Sequence, residues 1–202
     1  MGLYDTYLAA RLRASGADLP ETVAVVITER DLLEPGAYDT LAEFLRWAFE
    51  FDAERVTVSV SVLDQSVVST LGRAFADLDS PRQVAIRSPG DDAAADAPVQ
   101  VSIGLGGKAE FAAAVRGVTE EVAVGELAPE DIDAEDIEDE LVFPDDPDLV
   151  VKTGAERLSD FMIWQSVYSE LYFTDVNWRD FRRRDYLRAL RDFQERQRRF
   201  GR

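Results

Sequence analysis

Short runs of β-branched residues, separated by amphipathic segments, constrain the fold of this chain more than any other feature. Residues 23–27 (VAVVI) are apolar throughout, which is typical of a central parallel strand covered on both faces. Residues 56–62 (VTVSVSV) alternate valine with threonine or serine and predict a second strand. Residues 38–51, between them, place their large apolar side chains on one helical face. The three segments together predict a βαβ unit.

The same alternation continues towards the carboxyl end. We predict a helix near residues 66–78, a strand near 84–86, a polar loop at 88–98, a strand at 99–103 and a helix after Gly107. Residues 149–151 are predicted to be the last buried strand, and residues 185–200 the terminal helix. Between them Ser159 is expected to cap a helix that bears Ile163, Trp164, Val167, Leu171 and Tyr172. Alternating strands and helices predict an α/β fold, a central mostly parallel sheet flanked by helices, in one domain over residues 1–202.

The chain is strongly acidic, with 40 Asp and Glu against 22 Lys and Arg and a net charge of −18. Only two of the basic residues are lysines, Lys108 and Lys152. Such a surface is typical of a protein that works at high salt, where dense carboxylates are screened and hold water and cations. An acidic protein from a low-salt cell is the alternative.

Charge is distributed unevenly along the chain. Residues 126–148 hold 12 acidic residues among 23 and no basic one, which indicates a solvated connector; the spacing of a calcium-binding loop is missing. Residues 179–202 hold ten arginines and four acids. An acidic body would repel nucleic acid, so we expect no nucleic-acid partner. The basic segment is expected to fold against its own acidic domain or to face a diphosphate at a subunit boundary.

The chain has no cysteine and no histidine, which excludes disulfides, thiolate chemistry and the usual general base. Its chemistry would therefore use carboxylates, arginines, hydroxyl groups or a hard metal ion such as Mg²⁺. No apolar run is long enough for a signal peptide or a transmembrane span. We therefore expect a cytoplasmic protein with at most peripheral membrane contact.

Residues 151–159 (VKTGAERLS) combine a strand end, a glycine turn, basic side chains and a helix start, which together favour anion binding. This segment resembles the Arg-Thr-Gly-Gly-Glu-x-Arg-Leu-Ser motif of the cis-prenyltransferases, the undecaprenyl and dehydrodolichyl diphosphate synthases. The resemblance implies that Lys152, Arg157 and Ser159 bind the diphosphate of isopentenyl diphosphate. Lysine replaces the first arginine, and the segment is one residue short before Arg157. A plain strand-to-helix turn is the alternative interpretation.

Three further segments resemble the same family. Residues 161–173 (FMIWQSVYSELYF) match it almost residue for residue, and the resemblance implies a metal-linked role for Glu170 in binding Mg²⁺. Arg199 and Gly201 match the Arg-x-Gly ending that completes the active site of a partner subunit in the family. Gly106, Gly107 and the residues after them also fit the Gly-Gly-Arg entry of a family helix. The implied fold is a shortened cis-prenyltransferase fold.

The front of the chain departs from the family. Active members carry Met-Asp-Gly-Asn-Arg-Arg-Trp after the first strand, where the aspartate binds Mg²⁺ and the loop binds the allylic diphosphate. The corresponding loop here is degenerate, and so is the loop after the second strand; the residues concerned are Thr28, Glu29, Arg30, Asp31, Asp64 and Gln65. Glu29 and Asp31 in the first of these loops are expected to repel a diphosphate, whereas the second loop keeps only a carboxylate and an amide of the family pattern. The two long helices that wall the family's product tunnel also lack room between residues 66 and 99.

Three hypotheses remain open at this point, and none of them assigns a catalytic residue. In the first, the chain is an accessory subunit that acts with a full-length homologue in polyprenyl diphosphate synthesis. In the second, it is an autonomous Mg²⁺-dependent transferase that joins isopentenyl diphosphate to an allylic diphosphate, alone or as a dimer with itself. The third is a binding or regulatory protein for another anionic ligand.

Overall fold

The computed structural model describes residues 2–88, 97–141, 146–154 and 162–199. Within these ranges the chain forms six strands: β1 (Thr22–Thr28), β2 (Arg55–Ser61), β3 (Val84–Arg87), β4 (Val99–Ile103), β5 (Leu149–Thr153) and β6 (Glu170–Thr174). The described helices are α1 (Leu3–Ala14), α2 (Glu29–Leu32), α3 (Ala37–Glu50), α4 (Val68–Ala76), α5 (Gly107–Val124), α6 (Ala134–Asp139) and α7 (Arg183–Arg199). Two short 3₁₀ turns cover Gln65–Val67 and Trp178–Asp180.

The six strands form one sheet in the order β3-β4-β2-β1-β5-β6, and every neighbouring pair is parallel. The predicted α/β architecture is thereby confirmed. Along the centre of the sheet, Val26 of β1 pairs with Ser59 of β2 on one side and with Lys152 of β5 on the other. The carboxyl ends of all six strands consequently lie along one edge of the sheet.

The two faces of the sheet have different partners. On the first face, alternate residues such as Val25, Val58 and Val151 pack against buried side chains of α1, α3, α4 and α7 in one large apolar core. On the second face, Ala24, Val26 and Val150 pack against Met162 in a much smaller cluster. Because successive side chains of a strand point to opposite faces, the residue parity along each strand shows which face a side chain serves.

The carboxyl-terminal part of the chain is anchored to α3. The Trp178 side chain is buried and its Nε1 donates a hydrogen bond to the Ala37 carbonyl oxygen at 3.0 Å. Its indole ring stacks on Phe181 and meets Phe44 of α3 edge to face, an arrangement that stabilises aromatic pairs beyond their burial. Helix α3 itself starts after Gly36, whose φ of 82° suits glycine.

The basic carboxyl-terminal segment folds against acidic residues of its own domain, as one of the two sequence-based alternatives predicted. Arg183 of α7 contacts Glu50 at 2.6 Å, and Arg179 contacts Glu34 at 3.4 Å. These ion pairs join the end of the chain to α3 and to the loop before it. Among the described residues, no helix has both the length and the apolar character that a membrane span requires.

The helix predicted after Ser159 is wrong over all of its described residues. Ser159 lies outside the described residues, residues 163–168 form turns, and Leu171 and Tyr172 belong to strand β6. Strand β5 is the last fully buried strand of the described chain, as predicted, but the partly exposed β6 follows it. Apolar residues at helical spacing favoured the helix, but pairing with β5 supplies the backbone hydrogen bonds of a strand, and tertiary pairing outweighs such a local pattern. The resulting edge strand has the sequence ELYFT, which is rich in strand-forming residues.

Candidate functional site

The sheet has a topological switch point between β1 and β5. From β1 the chain forms β2 beside it, continues to the edge strand β3 and returns to insert β4 between β3 and β2; it then crosses to add β5 and β6 on the other side of β1. In open parallel sheets, ligands bind outside the carboxyl ends of the strands at such a switch point. The loop after β1 and the end of β5 flank it here, and both of these segments contain candidate site residues.

Lys152 is the central basic residue of this site. Its side chain is 4% exposed, points to the second face of the sheet and donates a hydrogen bond from Nζ to the Thr153 carbonyl oxygen at 3.1 Å. A lysine side chain is rarely buried unless its charged ammonium group is paired with another group. Thr28 lies on the same face, on the neighbouring strand and two residues further along, so the two Cα atoms are about 8 Å apart. The structure therefore brings Lys152 and the β1 loop together.

The amino end of α5 closes the same side of the site. A Cβ atom at Gly107 would lie 2.8 Å from Ile163 and 3.1 Å from the backbone of Met162, so only glycine permits this approach. One turn into α5, the buried Glu110 accepts a hydrogen bond from Gln165 Nε2 at 3.2 Å. Sequence analysis did not single out this pair. The sequence nevertheless contained a clue to the pair, since both polar residues lie within segments that resemble the family.

The loops after β1 and β2 are joined by one acidic side chain, that of Glu29. Glu29 is buried, and its Oε2 accepts hydrogen bonds from the backbone N–H groups of Leu63 and Asp64. Asp31 Oδ2 accepts a hydrogen bond from the Thr28 hydroxyl at 2.7 Å. The carboxylates of Glu29 and Asp31 thus face donors within the protein, and the predicted repulsion of a diphosphate stays a prediction.

Asp64 is exposed, and its side chain accepts the Ser66 backbone N–H at 2.9 Å. This hydrogen bond lowers the pKa of the Asp64 carboxyl below its ordinary value, because it stabilises the charged form. The remaining candidates of the two loops, Arg30 and Gln65, are exposed. Both can reach solvent without a change in the fold.

Glu170 lies elsewhere. It begins β6 in register with Leu149, so its side chain points to the first face, opposite to that of Lys152. There Arg196 of α7 donates a hydrogen bond from Nη1 to Glu170 Oε2 at 2.9 Å. The bond to Glu170 is the main cause that raises the pKa of the Arg196 guanidinium. Within one chain, Glu170, the predicted metal ligand, and Lys152, a predicted diphosphate ligand, therefore lie on opposite faces of the sheet.

Three predicted site residues, Arg157, Ser159 and Gly201, lie outside the described residues. Arg199 is the last residue of α7. The roles of these four residues, like those of Lys152 and Glu170, stay predictions.

The described residues of one chain do not fit a Mg²⁺ site. In the part of the chain that the structure covers, no three acidic side chains stand close enough together to hold a metal ion. Glu170 is in register with Leu149 and Val23, whereas Thr28 lies five residues further along β1, about 16 Å away along the strand. A metal ion that used both Glu170 and the β1 loop would need the loop of a second subunit.

A parallel α/β sheet with a buried lysine beside its switch point, and with a helix that starts at a glycine, is typical of the class of proteins that bind anionic, phosphate-bearing ligands. Comparison with known proteins narrows this class. The family model for undecaprenyl diphosphate synthase matches residues 61–201. The short-chain Z-isoprenyl diphosphate synthase of Mycobacterium bovis is 33% identical over 248 aligned positions, which cover 99% of this chain and 95% of that protein. The chain therefore belongs to the undecaprenyl diphosphate synthase, or cis-prenyltransferase, family.

Two further relatives add detail. The tritrans,polycis-undecaprenyl-diphosphate synthase (geranylgeranyl-diphosphate specific) of Methanocaldococcus jannaschii is 53% identical over 109 residues, 51% of this chain but only 39% of that protein. Lavandulyl diphosphate synthase from Lavandula x intermedia, solved with dimethylallyl diphosphate, has a TM-score of 0.71 at 22% identity, covering 87% of this chain and 95% of that one, which shows a common fold. The Mycobacterium bovis alignment spans 248 positions against 202 residues here, so at least 46 residues of that relative have no counterpart.

Proposed function

We propose that this protein is a non-catalytic accessory subunit of a heteromeric cis-prenyltransferase that makes polyprenyl diphosphate from isopentenyl diphosphate. The partner would be a full-length homologue that carries the intact allylic loop. In this proposal the chain contributes its carboxyl-terminal tail, with Arg199 and Gly201, to the partner's active site. Lys152, Arg157 and Ser159 would retain affinity for isopentenyl diphosphate.

One observation carries the proposal: the carboxylates of the loop after β1 accept hydrogen bonds from the protein itself, and one of them binds the loop after β2. Glu29 accepts two backbone N–H groups of the β2 loop and Asp31 accepts the Thr28 hydroxyl. An allylic diphosphate would have to displace these contacts and would meet negative charge. By contrast, a buried lysine is kept at the end of β5.

The missing length also supports this role. Between β2 and β4 the described residues contain only a short 3₁₀ turn, α4 and β3, where the family resemblance implies two long helices around a product tunnel. The 46 or more residues that the chain lacks relative to the Mycobacterium bovis protein are of the size of two such helices. A chain without this tunnel has little room for a long apolar product.

The need for a partner is supported by the surface around β6. Ile163, Val167, Tyr168 and Phe173 are exposed large hydrophobic residues within eleven positions, and clustered exposed apolar side chains mark interaction sites. Strand β6 is also the last strand of the described sheet, so one of its backbone edges can meet another chain. Glu170 starts this strand, and a Mg²⁺ role for it would be exercised at the subunit boundary.

The alternative is an autonomous Mg²⁺-dependent cis-prenyltransferase of short product length. It is favoured by the extent of similarity to the short-chain synthase, whose sequence is matched over 95% of its length. A short product would not require a long tunnel.

Assay of isoprenyl transfer distinguishes the two. The chain is purified in high salt, alone and with a homologue that carries Asp-Gly-Asn-Arg after its first strand, and incorporation of radiolabelled isopentenyl diphosphate is measured with Mg²⁺. We expect no incorporation by the chain alone and increased incorporation by the pair, with the increase lost when Arg199 is replaced by alanine. Incorporation by the chain alone would support the autonomous enzyme. No effect in either form, despite binding of pyrophosphate, would point to a binding protein.

We also infer that the acidic surface adapts the protein to a salty cytoplasm. Screening of the net charge of −18 should stabilise the folded chain. The midpoint of thermal unfolding should therefore rise steadily from 0.1 M to about 3 M KCl. A midpoint that is constant or falls over this range would exclude a halophilic adaptation.

A further inference from the structure

The Glu29 carboxylate lies in a position that suits a bound anion. It is the first side chain after β1, and it is 8% exposed. Its Oε2 atom receives two successive backbone N–H groups of the loop after β2, from Leu63 at 3.0 Å and from Asp64 at 3.3 Å. Successive backbone N–H groups that converge on one oxygen form a concave site of the type that binds phosphate groups. Here a side chain of the same protein fills it.

The position of this contact links it to the site at the switch point. Thr28 directly precedes Glu29 and pairs with Ser61, the last residue of β2. Thr28 also lies on the same face of the sheet as Lys152. The two N–H groups that bond to Glu29 therefore lie at the carboxyl edge of the sheet. They belong to the part of the site formed by the loops after β1 and β2, which we call the acceptor side.

We infer that Glu29 is a built-in substitute for an anionic ligand, an autoinhibitory contact that keeps the acceptor half of the site closed. This inference rests on the proposed function, which identifies the ligand of that half as an allylic diphosphate. A diphosphate that enters must first displace the Glu29 carboxylate from both N–H groups. The displaced carboxylate would remain next to the ligand and repel it. The contact thus holds the loop after β2 in place without a ligand.

Hydrogen exchange tests the contact directly. Exchange of the Leu63 and Asp64 amide hydrogens is followed by NMR in the wild-type protein, in Glu29→Ala and in Glu54→Ala. Glu54 precedes β2 at the opposite edge of the sheet and is exposed, so Glu54→Ala removes the same charge without touching the loop. We expect Glu29→Ala to speed exchange at both amides about tenfold and Glu54→Ala to have no effect. Unchanged exchange in Glu29→Ala would overturn the inference.

Inorganic pyrophosphate tests the closure. Calorimetric titrations compare Lys152→Ala with Glu29→Ala/Lys152→Ala, so that binding at the lysine does not obscure the acceptor side. We expect the double variant to bind pyrophosphate about tenfold more tightly, and pyrophosphate to slow exchange of the Leu63 and Asp64 amides again. Equal affinity in the two variants would contradict the inference.

If Glu29→Ala does not fold, the same exchange measurement is made on Glu29→Gln. Its neutral oxygen is a weaker acceptor than a carboxylate, so exchange of both amides should be a few-fold faster than in the wild type; equal exchange overturns the inference. None of these measurements involves isoprenyl transfer. An accessory subunit could therefore be disproved in the transfer assay while the Glu29 contact stands, and the reverse is equally possible.

Discussion

Glu170 and Lys152 lie on adjacent strands but point to opposite faces of the sheet. Glu170 is in register with Leu149, whereas Lys152 is three residues further along β5 and has the opposite parity. Glu170 contacts Arg196 of α7, and Lys152 is buried on the face that carries Met162. Any joint action of the two residues on one substrate would therefore involve two subunits.

Replacement of Lys152 by methionine should weaken pyrophosphate binding by the isolated chain. Methionine preserves the apolar stem in a side chain that is 4% exposed but removes the charge, so we expect affinity to fall about tenfold to a hundredfold with the fold intact. Arg116→Met is the matched control, because Arg116 is an exposed cation on α5. Titration calorimetry with pyrophosphate measures both. Equal losses of pyrophosphate affinity in the two variants would mean that binding depends only on the net charge of the protein.

Glu170→Gln should have no effect on pyrophosphate binding by the isolated chain, because its side chain is on the other face. In the complex with a full-length partner, the same change should raise the Mg²⁺ concentration required for half-maximal isoprenyl transfer several-fold. Glu195→Gln, which removes a carboxylate paired with Arg191 on α7, is the control. A Mg²⁺ requirement that is identical in both variants would remove the metal-linked role of Glu170.

The fold was predictable where one physical signal dominates. The apolar run of β1 and the valine alternation of β2 correspond to buried strands at the centre of the sheet. Strand β6 was missed because it is partly exposed at the edge of the sheet, and its strand state depends on pairing with β5. Sequence contains no direct record of such a long-range pairing.

The site was predictable only in part, for a related reason. Motif resemblance singled out Lys152 and Glu170, but it could not show that their side chains point to opposite faces, since this follows from the register of β5 and β6. The acids of the β1 loop were predicted to repel a ligand. That Glu29 turns inwards to accept N–H groups from another loop depends on the tertiary approach of β1 and β2.

Trp178→Phe should destabilise the fold. The change removes the hydrogen bond to the Ala37 carbonyl and part of a fully buried ring, so the free energy of unfolding should fall by about 1 to 3 kcal/mol. Trp164→Phe is the control, since the Trp164 indole bonds to Glu138 at the exposed surface and should cost less than about 0.5 kcal/mol. Urea unfolding at constant high salt measures both. If both variants lost the same stability, the anchoring role of Trp178 would be refuted.

Alkaline pH should destabilise the protein through Tyr38. Burial raises the pKa of Tyr38 from 10.0 to about 12, and its hydroxyl is buried without a hydrogen-bond partner among the described residues. Stability that comes from the neutral phenol is fully present below pH 10, the value of the unfolded chain, and is lost as pH rises towards 12. Because the ring is partly solvated, we expect this contribution to be about 1 kcal/mol rather than the full value of the shift.

Tyr38→Phe isolates this effect, because phenylalanine fills the same space and cannot ionise. At pH 8 the variant should be at least as stable as the wild type, because it removes a buried hydroxyl that has no partner among the described residues. Between pH 10 and 12 it should lose about 1 kcal/mol less stability. Burial raises the pKa of Tyr186 as well, so some alkaline loss will persist in Tyr38→Phe. Tyr168→Phe, at a side chain that is 89% exposed, should follow the wild-type curve. Urea unfolding as a function of pH gives the comparison, and coincident curves for wild type and Tyr38→Phe up to pH 12 would show that Tyr38 does not carry the loss.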